Sequence, residues 1–154
     1  RPESTTLAKI LIPESDSFYH RMGDLGYFDD QNRIWFCGRK NHRVQTPDRV
    51  WYTIPCERVF NVHPQVKRTA LVGVERGGEV VHVIGVEVEF KADYDEDKSG
   101  FAPLADQLTG LANEFDHTKG IKTFLQHPGF PMDVRHNAKI FREKLALWVK
   151  KELK

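Results

Sequence analysis

Two valine-rich segments, residues 67–74 and 80–90, meet across Gly77-Gly78, and this pattern constrains the fold more than any other feature of the chain. β-Branched side chains lose rotamer freedom in a helix and fit a pleated surface, so both segments are predicted strands. Adjacent glycines supply the positive-φ positions of a tight hairpin turn. Late in the second segment Val86, Val88 and Phe90 alternate with Glu87 and Glu89, which predicts one buried and one wet face.

The flanking sequence supplies helices and smaller hairpins. Residues 101–115 carry Leu104, Leu108, Leu111, Ala112 and Phe115 at helical spacing. The chain ends in a second amphipathic helix with the stripe Phe141, Leu145, Trp148, Val149 and Leu153. Pro55 opens a short helix through Glu57, Val59 and Phe60 that stops before His63-Pro64. Residues 121–125 predict a short strand, and 7–11 and 18–20 predict short extended segments around Pro13-Glu14-Ser15-Asp16. Residues 26–38 read as a hairpin turning at Asp30-Gln31-Asn32, with Gly38 breaking its second strand. Residues 43–51, interrupted by Pro47-Asp48, read as strand–turn–strand, residues 92–100 as an acidic loop, and Pro128-Gly129-Phe130-Pro131 as a rigid loop. The expected class is α+β, with a three-stranded core sheet, a β-hairpin and a few flanking helices.

Composition narrows the function classes. The 154 residues suffice for a core without disulfide or metal staples, and 40% hydrophobic content excludes a wholly disordered chain. No run of about 18 apolar residues exists, so no transmembrane segment is expected. Cys37 and Cys56 give no disulfide framework and fit a reducing, cytoplasmic setting. Arg1-Pro2-Glu3-Ser4 resembles neither a secretory leader nor an ordinary start, and suggests a piece of a longer chain. The net charge of +1 hides a segregation. Residues 86–116 hold nine acids against two bases, and residues 119–154 nine bases against three acids. Two solvated faces explain this most simply, and a basic C-terminal part facing an anion such as a phosphate is the sharper reading.

Several chemistries lack their residues. Cys37, His42, Cys56 and His63 lack the short ligand spacing that presets a zinc site, so no metal is expected. Neither a Gly-x-Ser-x-Gly elbow nor a phosphate-cradling P-loop occurs. Phe124, Phe130, Phe141 and Trp148 could serve a nucleic-acid-binding module as stacking groups, but their spacing fits core packing better and the acidic middle would repel a polyanion.

Two segments remain. One runs Tyr19-His20-Arg21-Met22-Gly23-Asp24-Leu25-Gly26-Tyr27 and continues as Ile34-Trp35-Phe36-Cys37-Gly38-Arg39-Lys40. It offers a turn carboxylate, an acceptor for vicinal sugar hydroxyls, and an arginine fork suited to the same group. The other, Arg135-His136-Asn137-Ala138-Lys139-Ile140-Phe141-Arg142, sets a lysine just before an amphipathic helix. Singly they read as a turn acid, a surface arginine and a helix-start lysine. Together they resemble the AMP-forming adenylate ligases, the superfamily of acyl-CoA synthetases, peptide-synthetase adenylation domains and luciferases. That superfamily carries Thr-Gly-Asp-Leu-Gly, then Gly-Arg-x-Asp, and near its end Gly-Lys-x-x-Arg. Here these read Met22-Gly23-Asp24-Leu25-Gly26, Gly38-Arg39-Lys40-Asn41 and Ala138-Lys139-Ile140-Phe141-Arg142. His63-Pro64-Gln65-Val66, Ala70-Leu71-Val72-Gly73-Val74 and Arg1-Pro2-Glu3-Ser4-Thr5 are similar to further family segments in the same order.

The resemblance implies that Asp24 and Arg39 bind the ribose of ATP and of the acyl-adenylate. Asn41 falls at the hinge, where family members usually carry Asp or Lys. Lys139 would be the catalytic lysine that reaches the α-phosphate and the substrate carboxylate. It also implies that residues 1–38 end a large N-terminal adenylation domain and 39–154 form a small swivelling C-terminal domain, inactive alone. ATP is the implied cofactor, with Mg2+ bound mainly by the absent domain.

Three departures narrow the branch. Aligned without gaps to His63-Pro64, Asp48 stands where the family's CoA-approach loop has glycine. Met132-Asp133-Val134-Arg135-His136-Asn137-Ala138-Lys139 replaces Pro-x-x-x-Gly-Lys, and Arg21-Met22-Gly23-Asp24 replaces Arg-Thr-Gly-Asp. The combination looks like the bacterial β-lactone synthetases of long-chain olefin biosynthesis. Those take a long-chain 2-alkyl-3-hydroxy acid and ATP to a β-lactone through an acyl-adenylate, with no CoA. An acyl-CoA ligase or peptide-synthetase-like adenylation enzyme, acting on a fatty acid, is the alternative. The implied partners are the chain's own N-terminal domain and thiolase-like, reductase and α/β-hydrolase pathway enzymes, and no nucleic acid.

Overall fold

A two-residue turn at Gly77 (φ +61°) and Gly78 (φ +85°) folds β7 (Val66–Arg76) back on β8 (Glu79–Val88). Both positive φ values belong to the turn type whose twist matches a strand pair, and glycine adopts them without strain. A computed structural model describes residues 8–89, 100–133, 135 and 139–153. The expected acidic loop, apart from Gly100, and Leu7 and Phe90 lie outside the described residues. The chain divides into two compact units, Arg1–Asn41 and His42–Lys154.

In the first unit β1 (Lys9–Leu11) pairs antiparallel with β2 (Phe18–His20), and β3 (Asp24–Phe28) with β4 (Ile34–Arg39). Asp29 organises the β3–β4 turn. Its Oδ1 accepts the amides of Gln31 and Arg33, both at 2.9 Å, and its Oδ2 accepts Trp35 Nε1 at 2.8 Å and Arg33 Nε at 2.7 Å. Those donors, Trp35 first, hold its carboxyl at about 2. Gly38 (φ +109°) does not break the strand as expected. The register passes from Leu25↔Gly38 to Gly26↔Phe36, so a bulge absorbs Cys37 and the ladder continues to Arg39. Gly26 is needed here, since a Cβ would lie 2.8 Å from the Trp35 carbonyl oxygen.

The second unit is built on a three-stranded sheet of order β7-β8-β9, where β9 (Phe124–Gln126) adds parallel to β8 through Ile84↔Phe124. β9 starts three residues later than expected; Ile121 is fully buried ahead of it, and the Thr123 carbonyl accepts the Ile84 amide at 3.0 Å. Before the sheet come β5 (Val44–Gln45), β6 (Val50–Trp51) and α1 (Thr53–Phe60). That helix begins two residues before Pro55, which is tolerated because amides of the first turn have no intrahelical acceptor. After β8 comes α2 (Ala102–Asn113), and the chain closes with β10 (Met132–Asp133), β11 (Lys139–Ile140) and α3 (Arg142–Glu152).

Both faces of the sheet are covered. Leu71, Ile84 and Val86 pack with Phe60, Leu104, Leu108 and Phe124 on the side of α1 and α2. Ala70, Val72, Val74 and Val83 pack with Phe130, Leu145 and Val149 on the side of α3. Phe60 and Phe124 meet edge to face at 5.2 Å. The expected wet face of late β8 is therefore corrected at Glu87: Val83 through Val88 are buried throughout, while Glu89, just past the strand, is exposed. Glu87 tolerates burial because it accepts the Phe130 amide at 3.1 Å and pairs with Lys67 at 2.9 Å and Arg68 at 3.4 Å. Burial alone would raise its carboxyl, but these partners together hold it below the ordinary range.

Candidate functional site

In the first unit the ladder sets Asp24 directly opposite Arg39. Arg39 Nε lies 3.1 Å from Asp24 Oδ1, and its guanidinium also donates to the Met22 carbonyl. Gly23 (φ +76°) turns the chain into β3, and its carbonyl accepts the Lys40 amide at 2.8 Å. The acid and the arginine of the first segment are thus brought side by side. Asp24 and Arg39 are 40% and 42% exposed, so the carboxylate can still accept hydroxyl donors from a ligand while the arginine fixes its direction. Asn41 is exposed and ends the first unit.

Lys139 starts β11 in the second unit, opposite Asp133 of β10. It is exposed, and among the described residues no hydrogen bond or ion pair holds its ammonium. A free ammonium suits an incoming anion, because nothing need be displaced before it binds. Among the described residues the hairpin that carries it pairs Met132↔Ile140 and Asp133↔Lys139.

The ends of that hairpin are fastened deep in the unit. The Phe141 amide donates to the Pro131 carbonyl at 2.8 Å. Arg142, first residue of α3, meets Glu57 of α1 as a two-pronged pair: one terminal nitrogen lies 2.6 Å from Oε1, the other 2.9 Å from Oε2. These side chains are only 14% and 8% exposed. The first prong also donates to the Leu71 carbonyl at 3.0 Å, while Glu57 Oε1 accepts the Leu71 amide at 2.8 Å. Leu71 faces Ile84 in register, and Ile84 turns its own amide the other way, to Thr123. The pair thus satisfies the outward backbone groups of β7, as Asn61 Oδ1 does for the Thr69 amide at 2.7 Å. Burial pushes the Glu57 carboxyl up, and Arg142 and the Leu71 amide pull against it. At the other end of the hairpin Arg68 reaches the Met132 sulfur at 3.5 Å from its contact with Glu87. No role had been read for Glu57 or Glu87. The signal for Glu57 was positional: Thr53, Cys56, Glu57 and Phe60 share the buried face of α1, and an acid there demands a cation.

Asp48 sits at the β5–β6 turn, where its Oδ1 accepts the Thr46 hydroxyl at 2.6 Å, which holds its carboxyl below the ordinary range. Arg49 lies over the Trp51 ring at 3.5 Å and donates to the Asp116 carbonyl at 3.0 Å and to that of Lys119. Trp51 donates to Thr46 Oγ1 at 2.9 Å and stacks on His82 at 4.2 Å, whose burial lowers the imidazole. The turn is therefore braced and carries a side chain at its tip. Both cysteines are buried and free, and His63 pairs with Gln107 at 2.9 Å. Phe124 and Phe130 are core residues, and His127 packs edgewise on Phe130 and Trp148.

No family model matches the chain. It is 50% identical over 151 residues to an olefin beta-lactone synthetase of Xanthomonas campestris pv. campestris, covering 96% of this chain and 26% of that protein. An olefin beta-lactone synthetase of Stenotrophomonas maltophilia is 47% identical over 99% of this chain and 27% of its own length. The chain thus spans about a quarter of the curated relatives it matches. Among solved structures, ATP-bound MatB from Rhodopseudomonas palustris shares the fold with a TM-score of 0.71 at 21% identity, over 99% of this chain and 28% of that one. With half its residues shared along nearly its whole length, the chain is a homologue of the olefin beta-lactone synthetases, and it has the fold of part of ATP-bound MatB.

Proposed function

We propose that the chain is the C-terminal part of an ATP-dependent, AMP-forming enzyme that converts a long-chain 2-alkyl-3-hydroxy acid to a β-lactone for olefin biosynthesis in the cytoplasm. One observation carries the reading: identity of 50% and 47% to two olefin beta-lactone synthetases along nearly the whole chain. The carboxylate attacks the α-phosphorus of ATP, forming the acyl-adenylate and releasing pyrophosphate. The substrate's 3-hydroxyl oxygen then attacks the acyl carbon, the bond to AMP breaks, and the hydroxyl proton passes to solvent. Both reacting groups lie in one molecule, so proximity drives ring closure without a thiol carrier.

Lys139 supplies a cation for the charge that develops between carboxylate and α-phosphate, and its exposed ammonium, without a polar partner among the described residues, supports that role. Asp24 accepts the ribose hydroxyls, held in place by Arg39. Asn41 acts as the hinge between adenylation and ring closure, which the division of the chain after this residue supports. Among the described residues no three His, Cys, Asp or Glu side chains converge; Mg2+ accompanying ATP would be bound mainly by the N-terminal domain. A side chain at the braced Asp48 turn favours a reaction without CoA.

The test incubates the full-length protein with ATP and a 2-alkyl-3-hydroxy acid, with and without CoA. Lactone without CoA is the expected product, and a thioester as the only product overturns the reading. Lys139→Ala should lower substrate-dependent pyrophosphate exchange by about 10²–10³. The 154-residue chain alone should form no adenylate.

A further inference from the structure

We infer that the Glu57–Arg142 pair is a positioning device for Lys139, and that Glu57 contributes to adenylate formation without touching substrate. This rests on the role proposed for Lys139. Among the described residues the lysine has no polar partner of its own, and its hairpin shows two paired positions. Two such pairs do not by themselves fix an ammonium. What fixes it is the attachment of its ends, and Arg142 stands three residues from the lysine.

Arg142 is turned inward. Three of its five N–H donors go to both Glu57 oxygens and the Leu71 carbonyl, at 14% exposure. The arginine of the motif thus ties the root of the hairpin to the central sheet, and Glu57 supplies the counter-charge that keeps it there. A two-pronged arginine–carboxylate contact restricts direction as well as distance, which a single hydrogen bond does not. Misplacing a reacting group by about 1 Å costs up to about 10²-fold in rate. Loss of Glu57 should therefore act on the adenylation step through Lys139.

The experiment is a double-mutant cycle in the full-length protein, read by pyrophosphate exchange well below the melting temperature of every variant. Glu57→Gln keeps the shape and removes the charge, and should lower kcat about 10–100-fold with KM for ATP changed less than about threefold. Arg142→Lys keeps the cation but loses the second prong, should fall in the same direction, and serves if Glu57→Gln does not fold. In a Lys139→Ala background both changes should add less than about twofold, because a residue acting through the lysine has nothing left to position. Ring closure from a supplied acyl-adenylate should stay within about twofold of wild type in Glu57→Gln and Arg142→Lys. If Lys139→Ala exchanges at the wild-type rate, the role of the lysine fails. If Lys139→Ala is inactive while Glu57→Gln and Arg142→Lys stay within twofold of wild type, the positioning inference fails and the lysine reading stands. An equal loss in exchange and ring closure, or full additivity with Lys139→Ala, marks Glu57 as merely structural and also overturns the inference.

Discussion

Replacing Glu57 by Gln leaves a guanidinium buried at 14% exposure with no counter-charge. Removing one partner of a buried ion pair costs about 3–5 kcal/mol, because the remaining charge was desolvated at the expense of its partner's attraction. A domain of this size has about 5–15 kcal/mol in total, and each kcal/mol lost lowers Tm by roughly 3–5 °C, so a drop of about 10–25 °C is expected. Glu57→Leu and Arg142→Met should each be similarly costly. The double replacement removes both charges and leaves only the Leu71 amide and carbonyl to re-pair with water or protein. Its cost should fall below the sum of the single costs by at least about 2 kcal/mol. Urea unfolding of the 154-residue chain, followed by far-ultraviolet circular dichroism, gives all four free energies. Single costs under about 1 kcal/mol, or a double cost equal to the sum within about 0.5 kcal/mol, would refute the claim that these groups hold each other in the core.

Three further outcomes follow from other parts of the chain. Asp29 titrates at about 2 rather than at its ordinary 3.8, so its hold on the β3–β4 turn is complete above about pH 4 and lost as pH falls through 2; the Trp35 indole N–H resonance should follow that window, and a midpoint near 4 would contradict it. Phe60→Ala empties a fully buried site against Phe124 and should cost about 3–5 kcal/mol in urea unfolding. His82 is depressed by burial, so its contribution to stability is present at neutral pH and shrinks as pH falls below 6.5; its carbon-bound ring protons should titrate below that value.

Local chemistry was legible in the sequence. Gly77-Gly78 announced its turn, the apolar stripes announced α2 and α3, and Asp24, Arg39 and Lys139 stand in recognisable strings. What escaped depended on contacts between distant segments. Glu87 alternates with valines as a solvent-facing residue would, and only the packing of Phe130 and α3 over that face buries it. Gly38 looked like a strand breaker because a bulge is a property of two strands in register. Glu57 and Arg142 lie 85 residues apart, so the pair at the root of the lysine hairpin has no local signature.

The two pairings of the central sheet differ in how far apart their partners lie along the chain. β7 and β8 zip across a two-residue turn, a process of roughly microseconds. β9 joins through three residue pairs and only after the chain has crossed all of α2, so loop-closure entropy delays it. It should be the last strand to dock and the first to open, with the amide of His127 exchanging its proton sooner than those in the middle of the β7–β8 ladder. The hairpin bearing Lys139 follows β9 in the chain, yet Arg142 moors it to Leu71 in the strand pair that forms first. A transient release of β9 therefore leaves the lysine tethered to the most persistent part of the unit.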